Sequence, residues 1–447
     1  MPQVSRDVGE KTLLPPIFLQ DPNLSQPFQF TTTRGSDPGL SILELVEVED
    51  YTAVTPENPL KLLVNTSLEE GEYILPVGSD GEFFLPLGKG ERTVDGKTEI
   101  RLERLPSPTA NNRSLQGSIR ILFQKILKQK LGRPYEYPIL AIADVREDGI
   151  NYEKNQENVK EQVAQSNRIL LYIHGIIGDT TSLLTSVRKA KVEMNGQQYS
   201  LKDMYDLVLA FDYENLNTTI EENAQLLKQK LEEVGLTADC GKELHIVAHS
   251  MGGLIARWFI EREKGNQIVQ HLVMLGTPNA GSPWSSVQDW AFAMLGIGLN
   301  QLSVVIWPAK VIAYLLALLE ANDNSLEQMQ LNSNFLKELA NNPDPHVPYT
   351  IIAGNRSIVP NALQPENQSS QLQRLMSKLF ARAVNRTVNL VFFEQPNDIA
   401  VSLDSIKSVS SNRSPQSKIL EPDAACDHLT YFTTTAGLEA LARALTS

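Results

Sequence analysis

The chain has 447 residues, and its 40 Lys and Arg against 53 Asp and Glu give a formal charge of −13, with 42% hydrophobic residues. That is a soluble globular composition, long enough for one large domain with a smaller companion, and the acidic balance excludes the basic footprint expected of a nucleic-acid binder. Cys240 and Cys426 are too few for a disulfide framework and read as free thiols, and the first residues lack the basic and then apolar pattern of an export signal, so the expected residence is cytoplasmic.

Residues 1–38 scatter Pro, Gln, Ser and Thr without a period and read as an irregular arm. From 39 to 110 the text turns into short β-rich runs, Ile42 to Val48, Leu60 to Val64, Tyr73 to Val77, Phe83 to Leu87 and Glu99 to Leu105. Gly78-Ser79-Asp80-Gly81 marks a hairpin between two of them, so a small antiparallel β domain is expected, with a protein partner as one use for it. Residues 111–166 read as a helix and a polar connector. Ile119, Leu122 and Ile126 recur at helical spacing between Ser114 and Leu131, with Arg120, Lys125, Lys128 and Lys130 interleaved. Peripheral membrane contact is one reading of such a basic amphipathic helix; a helix packed between domains with a solvated basic face is the plainer one.

From 167 to 447 short apolar runs alternate with helical stretches. Ile169 to Ile173, Leu207 to Phe211, Leu244 to Ala248, Ile268 to Leu275, Tyr349 to Ala353 and Val388 to Phe393 are rich in Val, Ile and Leu without polar alternation, as strands buried on both faces are. Thr219 to Val234 and Met251 to Lys264 read as helices between them. Alternating β and α in this way predicts an α/β fold with a mostly parallel central sheet and helices on both faces.

The strongest chemical signal is Leu244 to Glu261, LHIVAHSMGGLIARWFIE, where a strand runs into Ala248-His249-Ser250-Met251-Gly252 and a helix leaves it. A serine on a strained strand-to-helix turn needs small residues two places before and after it, which Ala248 and Gly252 supply as a variant of G-x-S-x-G. The plainer role for Ser250 is a helix N-cap. Upstream, Ile173-His174-Gly175-Ile176-Ile177-Gly178 is a glycine-rich turn after a strand, able to present a backbone N–H toward the serine. The oxyanion donors are therefore expected at Ile176 and Met251, with His174 and Gly175 as supporting loop residues.

Of the six histidines, His249 lies inside the elbow, His245 and His271 lie in or beside strands, and His346 sits in a Pro-rich loop. His174 reads as orienting its turn, which leaves His428, in Ala424-Ala425-Cys426-Asp427-His428-Leu429-Thr430, as the expected general base. An orienting acid is expected between the last strand and that base. Asp398, in Glu394-Gln395-Pro396-Asn397-Asp398, is the candidate; Asp404 and Glu394 compete, and a turn role for Asp398 is the alternative.

Together IHGIIG at 173–178, AHSMGG at 248–253, LGTPNAGS at 275–282, MQLNSNFLKEL at 329–339, NDIAV at 397–401 and DHLTYF at 427–432 resemble the α/β-hydrolase superfamily. Within it they resemble the lipase-like branch of bacterial triacylglycerol lipases and inositol-deacylase-type serine esterases. The resemblance runs from Asn167 to the C-terminus and implies a serine carboxylic ester hydrolase with the triad Ser250, Asp398 and His428. Three positions depart from the pattern: Ala248 for the usual first glycine, Asn279 where many lipases have His, and Ile399 where a glycine often follows the acid.

Between Gly281 and Asp344 the chain concentrates Trp284, Trp290, Phe292, Met294, Ile297 and Trp307 with further aliphatic residues. A helical cap over about 284–340 is expected there, which suits a lipidic or apolar acyl ester, although a plain packed helical pair would look the same. Asn300, Gln301, Pro308 and Lys310 interrupt that stretch before a membrane span is reached. With no His/Cys ligand spacing and no phosphate loop, neither a metal nor any other cofactor is expected. Two other readings use the same residues: acyl transfer by the same triad, and a non-catalytic interaction scaffold working through the β domain.

Overall fold

In the computed structural model of the chain, residues 138–176, 179–194, 196–214, 218–284, 287–300, 324–355 and 396–446 are described without interruption. Before them 3–5, 28–30, 42–46, 53–55, 58–64, 68, 72–79, 82–93, 96–105 and 119–127 are described, and later 315, 374, 375 and 379. The chain divides into two compact units. One combines Met1–Pro134 with Ala291–Glu320 and Pro360–Leu390; the other combines Tyr135–Trp290 with Ala321–Val359 and Val391–Ser447.

The first unit is an antiparallel sheet. Its strands run in the order Gln3–Ser5, Ile42–Val46, Ile119–Leu127, Glu72–Ser79, Gly88–Arg92, Thr98–Leu102 and Leu60–Val64, with Phe28–Phe30 added to Ile119–Leu127 and Phe84–Pro86 to Glu72–Ser79. Thr98, Ile100 and Leu102 are buried while Glu99 and Arg101 are not, the period-two pattern of a half-buried strand. The expected hairpin is present, with Ser79 opposite Phe84. The helix expected at 114–131 is not: Ile119–Leu127 is a strand. Its residues IRILFQKIL fit a period of two as well as one of 3.6, and pairing with both Ile42–Val46 and Glu72–Ser79 decides between them. The basic amphipathic helix on which the membrane-surface reading was built is therefore not formed at Ile119–Leu127. Gly88–Arg92 also pairs as a strand, although GKGER shows no apolar alternation.

The stretch expected to form a cap is divided between the units at Ala291 and again at Ala321. Within the first unit, the Asn300 side chain accepts from the Phe84 N–H and donates to the Phe84 carbonyl, both at 2.8 Å. Arg104 stacks 3.7 Å above the Phe292 ring and donates to the Leu379 carbonyl at 2.8 Å. Most of the remaining cap lies outside the described residues, as does the expected strand Val388 to Phe393.

The second unit holds an eight-stranded sheet in the order Ile150–Glu153, Ile139–Val145, Leu207–Asp212, Arg168–Ile173, Glu243–His249, Val269–Leu275, Tyr349–Ile352 and Lys418–Ile419. The first two strands are antiparallel to their neighbours and the rest are parallel. The sheet therefore begins at Ile139, ahead of where the sequence resemblance starts. The polar connector supplies an edge strand and the helix Gln156–Gln165, whose first N–H groups at Glu157 and Asn158 donate to the Asn155 side chain.

Both faces of the central strands are covered, which is why their sequences are continuously apolar. Leu170, Tyr172, Val208, Ala210, Val247 and Val273 join Leu183, Leu184, Val187, Leu441 and Ala444 in one buried cluster, the last two from the final helix Thr435–Thr446. The alternate residues Ile169, Leu171, Ile173, Leu209 and Ile246 are equally buried. Against them lie the helices Ile220–Glu233 and Met251–Arg262. Each aliphatic side chain so buried contributes about 1.5–3 kcal/mol. Parallel strands put all their C-terminal ends on one edge, and there the chain gathers Ser250, Gly276 and Gly354. This is the predicted α/β architecture with a mostly parallel sheet.

Candidate active site

The strand Glu243–His249 ends in Ser250, which has φ 52° and ψ −125°, and the helix Met251–Arg262 starts at the next residue. A non-glycine residue held there costs on the order of 1–3 kcal/mol and persists only where its surroundings enforce it. Close packing through glycines does so here. A Cβ on Gly252 would strike the carbonyl oxygen of His174, one on Gly253 would strike Thr277 Oγ1, and one on Gly175 would lie 2.7 Å from Ser250 Cβ. Ala248, in place of the usual first glycine, sits fully buried as an ordinary strand residue.

Ser250 Oγ lies 2.9 Å from His428 Nε2, and His428 Nδ1 lies 2.8 Å from Asp398 Oδ2. All three residues are buried. The imidazole thus bridges hydroxyl and carboxylate, the arrangement in which a serine proton passes to Nε2 while the acid fixes the tautomer. Asp398 Oδ1 accepts from the N–H groups of Val401 at 2.8 Å and Ala400 at 3.2 Å, and the His428 N–H donates to the Asp398 carbonyl at 2.8 Å. Of the competing acids, Asp404 is exposed and Glu394 lies outside the described residues. Ile399 adopts φ 81°, which explains why glycine often stands there; its N–H donates to the Asn397 side chain at 2.7 Å.

The glycine-rich loop runs beside Ser250. His174 Nδ1 donates to the Gly175 carbonyl at 2.7 Å, and its Nε2 accepts from the Tyr213 N–H at 3.3 Å. Tyr213 stacks on it with ring centroids 4.2 Å apart and donates its hydroxyl to the His174 carbonyl at 2.8 Å. Asp212 accepts from the Thr180 N–H at 2.8 Å, pinning the far end of the loop. Burial pushes the Asp212 carboxyl above the ordinary range, against the opposing pull of His174. Ile176 is buried within this loop, while Met251 opens a helix and so carries an N–H with no acceptor inside it. Ile177 and Gly178 lie outside the described residues.

Sequence reasoning did not single out three residues that build this site. His249 Nε2 donates to the His428 carbonyl at 2.8 Å, so the strand-to-helix turn itself holds the turn that carries His428. Burial, and then the neighbouring His428, hold the His249 imidazole well below its ordinary value, so it is a neutral donor. Tyr431 donates to Asp398 Oδ2 at 2.8 Å. Gly276 has φ 61°, and a Cβ there would lie 2.8 Å from Asp398 Oδ2 and 3.1 Å from His428 Nδ1. The only signals for these were the motifs themselves, AHSMGG, LGTPNAGS and DHLTYF.

The rest of LGTPNAGS braces the acid turn. Asn279 accepts from Arg257 at 3.0 Å and donates to the Ile406 carbonyl at 2.7 Å, using both ends of an amide where many lipases have His. Ser282 donates to the Ala400 carbonyl at 2.9 Å, and Ser405 Oγ bridges the Gly281 carbonyl and the Ala280 N–H. Trp290 and His428 stand nearly perpendicular, ring centroids 6.2 Å apart, which puts an aromatic ring beside the imidazole.

A family model described as a domain of unknown function (DUF7379) matches residues 140–446, and the chain belongs to that family. No curated protein matches the chain significantly. Among solved structures, the chain is similar to a Bacillus licheniformis lipase in its mature form at 17% identity and TM-score 0.34, over 61% of this chain and 86% of that one. It is similar to an α/β-hydrolase enzyme from a Medee basin deep-sea metagenome library at 13% identity and TM-score 0.35, over 70% and 97%. It is also similar to a phospholipase from Legionella pneumophila at 14% identity and TM-score 0.31, over 54% of this chain and 46% of that one. The fold reading stands on the chain's own strand order.

Proposed function

We propose, starting from membership of a family whose description assigns no activity, that this chain is a serine carboxylic ester hydrolase acting through a covalent acyl-enzyme. The observation that carries the reading is the unbroken run Ser250 Oγ, His428, Asp398, at 2.9 and 2.8 Å, on a strained strand-to-helix turn. In this reading His428 takes the Ser250 proton as Oγ attacks the ester carbonyl, then returns it to the departing alcohol. Water repeats the cycle in reverse and frees the acid. The backbone N–H groups of Ile176 and Met251 are the proposed oxyanion donors, each removal of such a donor costing typically ~10²–10³ in rate.

An apolar acyl or lipid ester is the proposed substrate class, supported by the apolar run from Trp284 and by Trp290 beside the base. Among the described residues no helix is long and apolar enough to cross a membrane, and residence in the cytoplasm stays a proposal.

The test is hydrolysis of chromogenic esters of increasing acyl length by the parent chain and by Ser250→Ala. Loss of at least ~10³ in kcat/KM is expected in the variant, with a parent preference for long chains. Activity that survives the substitution would sink the triad.

A further inference from the structure

The Asp398 carboxylate carries one more hydrogen bond than orienting His428 requires. Tyr431, three residues beyond the base, donates its hydroxyl to Oδ2, the same oxygen that faces His428 Nδ1, and both contacts are 2.8 Å. The phenol oxygen in turn accepts from the Gly354 N–H at 2.7 Å. A Cβ on Gly354 would lie 2.7 Å from that hydroxyl, so the strand end at Ile352 delivers a bare backbone N–H to it. Tyr431 is fully buried, and burial followed by the adjacent Asp398 push its hydroxyl far above ordinary titration, which keeps it a donor.

On the reading of Ser250, His428 and Asp398 as a working triad, we infer that Tyr431 is a positioning residue that locks Asp398 Oδ2 and shares its negative charge, setting how strongly the carboxylate favours the protonated base. Two donors on one oxygen divide its electron density, so the imidazolium receives less stabilisation than it would from an unshared carboxylate. Oδ1 cannot substitute, since the N–H groups of Val401 and Ala400 occupy it.

Other titratable groups face the trio from each neighbouring element. His249 comes from the elbow strand and is neutral; His174 comes from the glycine-rich loop. Cys426 and Asp427 come from the base turn itself, and burial, with both aspartates, raises the Cys426 thiol so that it too is neutral. Replacing Tyr431 leaves these four in place, so a change in protonation of the base reports on the phenol.

The experiment compares the full-length parent with Tyr431→Phe and with 3-fluorotyrosine incorporated at 431. The fluorinated ring keeps the shape and makes the hydroxyl a stronger donor, so it guards against loss of packing in the Phe variant. Two readouts are taken: the acid limb of kcat/KM, and the pH titration of the His428 ring by NMR, assigned by its disappearance in His428→Gln. Tyr431→Phe is expected to move both upward by about half a pH unit or more and to lower kcat about tenfold with KM little changed. Fluorotyrosine is expected to move both downward. A shift of the same sign in the two variants, or none in Tyr431→Phe, overturns the inference. If the parent neither hydrolyses esters nor labels at Ser250 with a phosphonylating probe, the functional reading fails by itself, while the NMR titration still decides the role of Tyr431.

Discussion

Gly276 shows how one missing Cβ can shape a site built from four separated segments. It follows the strand Val269–Leu275 with φ 61°, a conformation open to glycine at little cost, and its α-carbon faces Asp398, His428 and Tyr431 together. A methyl group would lie 2.8 Å from both Asp398 Oδ2 and Tyr431 Cε2, atoms held by hydrogen bonds of 2.8 Å and unable to yield without breaking them. Displacing the acid by a fraction of an ångström misaligns the base. Gly276→Ala is therefore expected to lower kcat/KM by about 10²-fold or more while the chain still folds, as checked by ester kinetics beside circular dichroism. Activity within threefold of the parent would mean that the acid turn relaxes freely and that its rigidity does not matter.

At the scale of elements, the helix Met251–Arg262 does more than present Ser250. One face of its second half carries a buried ion cluster in which Arg257 at 3.0 Å and Arg413 at 2.7 Å both donate to Glu261 Oε1, joined by Tyr349 at 3.1 Å. Asn342 donates to Oε2 at 3.0 Å. Burial raises the Glu261 carboxyl, but the two guanidinium groups outweigh it and hold it below the ordinary range, so it is ionised. Through Arg257 and Asn279 the cluster reaches the acid turn at Ile406. Glu261→Gln would leave two buried guanidinium groups with no counter-charge, which costs about 3–5 kcal/mol. Urea unfolding should show that loss, with the remaining folded protein still reacting at Ser250; an unchanged midpoint would mean that water already compensates the cluster. Arg257 and Glu261 are one helical turn apart, but the rest of the cluster was invisible in the sequence, because Tyr349, Asn342 and Arg413 reach it by tertiary packing alone. The strand-to-helix turn at Ser250 was legible because a strand, a small residue, a serine and a helix stand consecutively at 244–261, whereas Asp398 and His428 were named from chain order and from a census of the histidines. The strand Ile119–Leu127 was misread because IRILFQKIL satisfies two periods and only its partners, far away in sequence, choose between them.

Across the larger unit as a whole, the parallel strands separate two ends with different electrostatics. The site occupies the C-terminal edge, whereas His245 and His271 pair in register nearer the strand starts, ring centroids 5.5 Å apart. His245 lies 2.7 Å from the Tyr205 hydroxyl and 3.0 Å from Glu243, and His271 lies 2.9 Å from Thr350 Oγ1. Burial first, then the neighbouring His245 and Lys418, lower His271 to about 4, and burial also lowers His245. The His271 ring is thus neutral in the folded chain at pH 5, while in the unfolded chain an ordinary imidazole takes up a proton below about 6.5. The unfolded state then binds the extra proton, so the stability His271 confers is complete above about pH 6.5 and drains away as pH falls toward 4. At pH 5 the gap of ~1.5 pH units below the ordinary value corresponds to about 2 kcal/mol from His271. His271→Gln keeps a hydrogen-bonding group near Thr350 but cannot titrate. The loss of unfolding free energy between pH 7 and pH 5, measured by urea denaturation of the intact chain, should therefore be smaller in this variant by about 2 kcal/mol. An identical loss in variant and parent would show that the ring is already protonated in the folded chain. Because the two histidines stand away from Ser250, the variant should keep the parent's acid limb in ester hydrolysis over the range where both remain folded, separating failure of the fold in acid from protonation of the base.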